Sequence, residues 1–376
     1  MKLNIGDGGI VASGYVGWDI ARGEDARHIS RDDLFEEIRA SHVLEHLPQR
    51  EVLDVLREWV ARLLPGGVLK IAVPDLKILA EQYLAGSRLP IQQYMMGGQV
   101  DEYDFHKVVF DRESLGDAMR SVGLIGLRSW HDDIEDCSRL PISLNLAGTK
   151  PYEKWPRVAA VLSAPRLGFN DFWACAYKEL APLMPLRKVS GAYWDRDLEL
   201  AIDETIEAHK PDWILTTDYD TVFTRDQVWC LLDLAIRYPH ADAIAPLQSA
   251  RHHDQPMFTA RSAAGDLVSG MSREDLARGE VIRCETAHFG LTLLRTSKLQ
   301  AMPKPWFNRT YGENAHDPDV QFWHNWRAVG NTLYTALRVP VAHCELMLRW
   351  PDQNFATLFQ RPTEFHKTGI PEGIWQ

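Results

Sequence analysis

The chain has 376 residues, 45% of them hydrophobic, with a formal net charge of −11. That length suggests two domains with ordinary cores, and because neither half is basic, a phosphate-gripping nucleic-acid binder is disfavoured. No apolar run reaches membrane-spanning length.

The N-terminus, Met1-Lys2-Leu3-Asn4-Ile5-Gly6, lacks the apolar region of a signal peptide, so the expected location is cytoplasmic. The five cysteines, Cys137, Cys175, Cys230, Cys284 and Cys344, are scattered without a C-x-x-C pair, which predicts free thiols in a reducing compartment. Residues 2–5 alternate like a short strand and run into Gly6-Asp7-Gly8-Gly9, and a second strand-like run at 15–18 ends at Asp19. Glycines after a first strand let the backbone approach a ligand, and an acid after the second can hold a ribose. Apolar residues at helical spacing predict a helix over 50–64, which Leu64-Pro65-Gly66-Gly67 stops, and 68–75 reads as a buried strand.

These residues resemble the class I S-adenosylmethionine-dependent methyltransferases. The resemblance rests on Leu3 to Gly8, Asp19, Ser41-His42-Val43-Leu44-Glu45-His46 and Leu64 to Leu69. It continues through Asp104-Phe105-His106-Lys107 and Phe110 to Leu115, to about residue 148. It implies a Rossmann-like α/β domain over 1–150, with Gly6, Gly8 and Asp19 holding S-adenosylmethionine and Ser41 and His42 lining its pocket. Two departures stand out. The segment 20–40 is short for the family, leaving 26–29 and Asp32-Asp33 as candidates for the adenine contact, and Asp7 replaces a small or thiol residue. Both an active and a catalytically silent domain remain open, and His42, His46 and His106 are given no role in methyl transfer.

Residues 145–156 mix Gly, Pro and charge and read as a linker. Beyond it, strand-like runs at 158–162 and 186–190 alternate with helical patterns at 170–180 and 198–210, which predicts a mostly parallel sheet. Trp213 to Leu215 then leads into Thr217-Asp218-Tyr219-Asp220, a buried strand delivering two carboxylates at its C-terminal edge. Two hard oxygen donors there suit Mg²⁺ or Mn²⁺ carrying a diphosphate, and a polar turn is the alternative. Arg166 and Arg196 are candidates for a diphosphate clamp or for surface ion pairs. Residues 287–295 read as an apolar strand in which Gly290 marks a close approach. Asp317 and Asp319 precede a helix, where acidic residues favour capping positions. The strand 332–341 delivers His343, and 351–376 reads as an irregular tail containing Gln360, Arg361 and His366.

The order of these features resembles the GT-A glycosyltransferases of the family 2 kind over about 155–350, so the second domain is taken as 155–376. The resemblance implies that Asp218, Asp220 and His343 hold Mn²⁺ or Mg²⁺ with a nucleotide-diphosphate sugar, and that Asp319 is the base, supported by Asp317. The expected activity is inverting sugar transfer to an acceptor hydroxyl of a glycan, a metabolite or a modified nucleic-acid base. The alternatives are a chain whose main activity is methyl transfer, and a non-catalytic N-terminal domain that recruits the acceptor.

Overall fold

The computed structural model describes residues 1–9, 11–30, 33–164, 168–191, 193–250, 255–261, 267–268, 279–307, 317–352, 354 and 356–374. Two compact units divide it: residues 1–155 with 225–233, and residues 156–224 with 234–376. The sequence reading assigns 225–233 to the second domain. Helical periodicity shows which face of a segment is apolar, but not which core that face joins.

The first unit is built on a six-stranded sheet. In chain order its strands are β1 (Lys2–Ile5), β2 (Tyr15–Trp18), β3 (Phe35–Ser41), β4 (Leu63–Pro74), β5 (Ile125–Ser129) and β6 (Ser143–Thr149), and their spatial order is β2-β1-β3-β4-β6-β5. The first four run parallel, while β6 is antiparallel to both its neighbours. The brevity of 20–40 has a direct structural result: among the described residues between β2 and β3 the one regular element is a 3₁₀ turn, Ile20–Arg22, and β2 is the sheet edge.

Parallel strands covered on both faces need near-continuous apolar runs, and β4 supplies one in which Leu69, Ile71, Ala72 and Val73 are fully buried. The helix Val52–Ala61 lays Val52, Val55, Leu56 and Trp59 into the same core at spacings of three and four. Each such side chain stabilises the fold by about 1.5–3 kcal/mol. The expected linker begins too early. Asn145 to Thr149 belong to β6, whose Leu144 and Leu146 are core residues, and Lys150 is the first residue beyond the strand. The Leu64-Pro65-Gly66-Gly67 stop likewise lies within the start of β4.

The second unit is a mixed α/β sandwich. Its strands are β7 (Val158–Ser163), β8 (Leu186–Val189), β9 (Trp213–Asp218), β10 (Thr221–Val222), β11 (Ala243–Leu247), β12 (Phe258–Arg261), β13 (Leu267–Val268), β14 (Val281–Arg283), β15 (Thr286–Ala287), β16 (Thr292–Arg295), β17 (Leu333–Pro340), β18 (Ala342–His343), β19 (Leu348–Pro351) and β20 (Thr357–Gln360). Seven form the main sheet, in the order β14-β17-β11-β16-β9-β7-β8. Pairing is parallel within β9-β7-β8 and between β11 and β17, with β16 antiparallel between β9 and β11. One face is filled by Phe289, Phe307, Phe322, Trp323 and Trp326 in stacked and edge-on contact.

Two expectations change here. The run 287–295 is not one strand, because β15 pairs with β12 in a small separate sheet and β16 enters the main sheet. Leu291 turns between them at φ +61°. Among the described residues, the tail also carries regular elements: β20 pairs antiparallel with β19, and the helix Pro362–Thr368 follows. Gln360 is buried there, accepting from Trp350 Nε1 at 3.1 Å and donating to the Gly369 carbonyl at 2.8 Å.

Candidate functional site

In the second unit, β9 ends on Asp218 and β10 starts at Thr221, so Tyr219 and Asp220 form the turn at the C-terminal edge of the sheet. The short strand β18 pairs antiparallel with β10 in a register that sets His343 opposite Thr221. That register, more than a hundred residues away in sequence, brings His343 Nε2 to 3.3 Å from Asp220 Oδ2, with both side chains over 90% buried. His343 Nδ1 lies 3.0 Å from the Ser249 carbonyl, which can only accept, so Nδ1 carries the proton. A neutral His343 therefore turns an Nε2 lone pair towards a carboxylate oxygen. Two facing acceptors at that distance call for a proton or a cation between them.

Asp218, Asp220, His343, Asp317 and Asp319 all line one open cleft of about 520 Å³. The helix Pro318–Ala328 begins at its rim, with Asp317 in the N-cap position. Acidic residues favour that position because they can cap free backbone N–H groups, yet the Asp317 side chain makes no capping bond. Asp319 is half-buried and accepts from the Val320 N–H at 2.7 Å. Burial, reinforced by the charge of Asp317, raises its pKa above the usual carboxylate value.

The cleft has further walls that the sequence reading does not assign: Trp194, Gln248, Met257 and His288. His288 is buried, donates Nε2–H to the Pro246 carbonyl at 3.0 Å and leaves Nδ1 without a hydrogen-bond partner. Burial chiefly, with the neighbouring His343, pushes its pKa down to about 4, so it is neutral at physiological pH. Gln248 donates to Thr221 Oγ1 and to the Ala342 carbonyl, each at 3.3 Å, and so ties β10 to β18. The available signal for this corner is Gly290. A Cβ there would stand 2.3 Å from Thr221 Oγ1 and 3.1 Å from His288 Nδ1. The close approach is real, and it is to side chains of the protein itself. Of the two arginines, Arg196 is exposed on the helix Trp194–His209 and is not a wall of the cleft, and Arg166 lies outside the described residues.

In the first unit, Gly6 and Gly8 take positive φ of 69° and 61°, which glycine alone adopts readily. Gly6 is also required by packing, since a Cβ would sit 2.2 Å from Val43 Cγ2. The Asp19 carboxylate is already engaged, with Oδ2 accepting from Gly8 N–H and Oδ1 from Ala21 N–H, each at 2.8 Å. Asp7 is clamped by both terminal nitrogens of Arg22 at 3.1 and 2.8 Å, and its side chain is fully buried. Ser41 is buried with its hydroxyl unpartnered, and His42, at φ +55°, lies between Ser143 Oγ at 3.0 Å and Glu45 Oε1 at 3.1 Å. Asp32 lies outside the described residues.

No protein-family model matches the chain, and no curated protein matches it. Solved structures do. A197 from STIV is 13% identical, covers 54% of this chain and 94% of its own, and superposes with a TM-score of 0.38. GalNAc-T7, solved with UDP, GalNAc and Mn²⁺, is 10% identical, with coverage of 63% and 53% and a TM-score of 0.34. An O-methyltransferase family protein from Burkholderia thailandensis is 10% identical, with coverage of 37% on each side and a TM-score of 0.27. The chain spans about half the length of the GalNAc-T7 chain and little more than a third of the O-methyltransferase. These are likenesses of distant folds. The functional reading therefore rests on the side chains.

Proposed function

We propose that the second unit is a metal-dependent glycosyltransferase that moves a sugar, with inversion, from a nucleotide-diphosphate donor to an acceptor hydroxyl. The observation that carries this reading is the gathering of Asp218, Asp220, His343, Asp317 and Asp319 in one cleft from three separate stretches of chain. The donor set fits a Mg²⁺ or Mn²⁺ ion: a buried carboxylate oxygen faces an imidazole lone pair. Asp218 lines the same cleft. One carboxylate and one imidazole leave several positions for phosphate oxygens, as these ions prefer. When bound, the ion would neutralise charge developing on the diphosphate leaving group.

The chain's own residues do the rest. The Ser249 carbonyl fixes the His343 tautomer, and the β10–β18 pairing fixes its position. Trp194, partly exposed in the cleft wall, offers an aromatic face to a sugar ring. Asp319 takes the proton from the acceptor hydroxyl as that oxygen attacks the anomeric carbon, and its raised pKa makes it a stronger base than an ordinary carboxylate. Asp317 contributes through its charge, which supports that raised value.

Turnover with a panel of nucleotide-diphosphate sugars, in the presence of Mn²⁺, tests the assignment. Asp319→Asn is expected to lower kcat by about 10²–10⁴-fold while leaving nucleotide affinity within a few fold. Full activity in that variant would remove Asp319 as the base.

For the first unit we infer a binding or scaffold role rather than methyl transfer. Support comes from two carboxylates, Asp7 in the glycine loop and Asp19 after β2, which are both engaged within the unit.

A further inference from the structure

A second cluster lies in the first unit. Among the described residues, Glu45, His46 and His106 are the one set of three His, Cys, Asp or Glu side chains whose ligand atoms all lie within 4.8 Å of one another. Glu45 is 1% exposed, and neither of its carboxylate oxygens makes a hydrogen bond. His46 Nδ1 is buried and also without a partner. A carboxylate is not left bare in a protein interior unless something cationic meets it.

The surrounding hydrogen bonds settle which nitrogens are bare. His106 Nδ1 faces the Tyr94 carbonyl at 3.0 Å and must donate to it, so its Nε2 carries a lone pair. On the other side, Asn145 Nδ2 donates to the Ser138 carbonyl, which leaves Asn145 Oδ1 to accept from Ser143 Oγ at 2.8 Å. Ser143 Oγ must then accept from His42 Nε2, so the nitrogen that His42 turns to Glu45 at 3.1 Å is also bare when the ring is neutral. A protonated His42 would neutralise Glu45, but it leaves His46 Nδ1 and the second carboxylate oxygen unanswered.

We propose that Glu45, His46 and His106 form a binding site for a zinc-type divalent transition ion, separate from the cleft of the second unit. Two imidazoles and one carboxylate are a familiar ligand set for zinc, with the fourth position left to water. A cavity of about 10 Å³ lined by Glu45 and His106 has room for that one molecule. Bonds of about 2.1 Å would draw the ligand atoms to roughly 3.4 Å apart, a side-chain adjustment. His106 Nδ1–H on the Tyr94 carbonyl supplies the outer contact that orients a ligating histidine.

Full-length protein stripped with a chelator and titrated with Zn²⁺ by calorimetry, and with Co²⁺ by visible absorption, tests this. With the Asp220→Asn background removing the carboxylate of the second-unit cleft, the expected result is one saturable zinc equivalent and a tetrahedral Co²⁺ spectrum, and the His106 and Glu45 variants are compared in that background. Affinity should fall by about 100-fold or more in His106→Gln and in Glu45→Gln, which keeps the shape of the side chain. Circular dichroism and melting of the metal-free variants, matched to metal-free wild type, separate lost ligation from lost folding. Absence of a saturable zinc site in the Asp220→Asn background overturns the proposal, as does a site that both folded variants retain.

Discussion

Asp319 is the residue on which pH acts most directly. Its carboxyl titrates above its ordinary range, because burial penalises the anion and Asp317 repels it. As a base it works only when deprotonated, so kcat should rise with pH along an acid limb set by this group. That limb should vanish from the residual activity of Asp319→Asn, and an unchanged limb would assign it elsewhere. Stability runs the opposite way. The native state holds this proton more tightly than the unfolded chain, so the Asp319 contribution is complete below about pH 3.9 and is lost as pH rises through the raised folded value. Gly290 is the second sensitive position. Because an added Cβ would meet Thr221 Oγ1 at 2.3 Å, Gly290→Ala should cost about 1–3 kcal/mol through overpacking. It should also loosen the β10–β18 corner; a melting temperature equal to wild type would show that the corner yields without strain.

At the level of elements, the glycine loop after β1 decides what the first unit can bind. Sequence places Gly6, Gly8 and Asp19 after two strand-like runs, and the structure pairs those runs as parallel neighbours. What sequence does not reveal is that Arg22, on the turn after β2, reaches back to Asp7, and that Asp19 spends both oxygens on local N–H groups. Isothermal titration with S-adenosylmethionine should give no binding heat; saturable micromolar binding would contradict the scaffold reading. The same limit explains the misread segments. Ala287 to Arg295 looks like one apolar strand because periodicity does not register the turn at Leu291 or the change of sheet. Asn145 to Thr149 looks like a linker because Asn, Gly and Thr are turn residues, although pairing on both edges overrides that preference.

Across the whole molecule, the acidic positions of the second-unit cleft were legible because each lies next to a strong local signal: a strand end at Asp218 and a helix start at Asp319. Gln248, His288 and Trp194 were not, since they reach the cleft through long-range packing that leaves no local pattern. Glu45 and His46 stood in view within one motif, but their convergence with His106 depends on tertiary structure alone. On the proposed reading the second unit binds a nucleotide diphosphate through a divalent ion held at Asp220 and His343. Melting temperature against UDP, GDP, ADP, CDP and dTDP, each with and without Mn²⁺, measures it most directly, because a ligand bound only by the native state must raise stability. The account predicts a rise with one nucleotide that requires Mn²⁺, reaching about 2.7 kcal/mol at a hundredfold excess over Kd, and its loss in Asp220→Asn. No shift with any of the five, or the same shift without Mn²⁺ and in the variant, would contradict it.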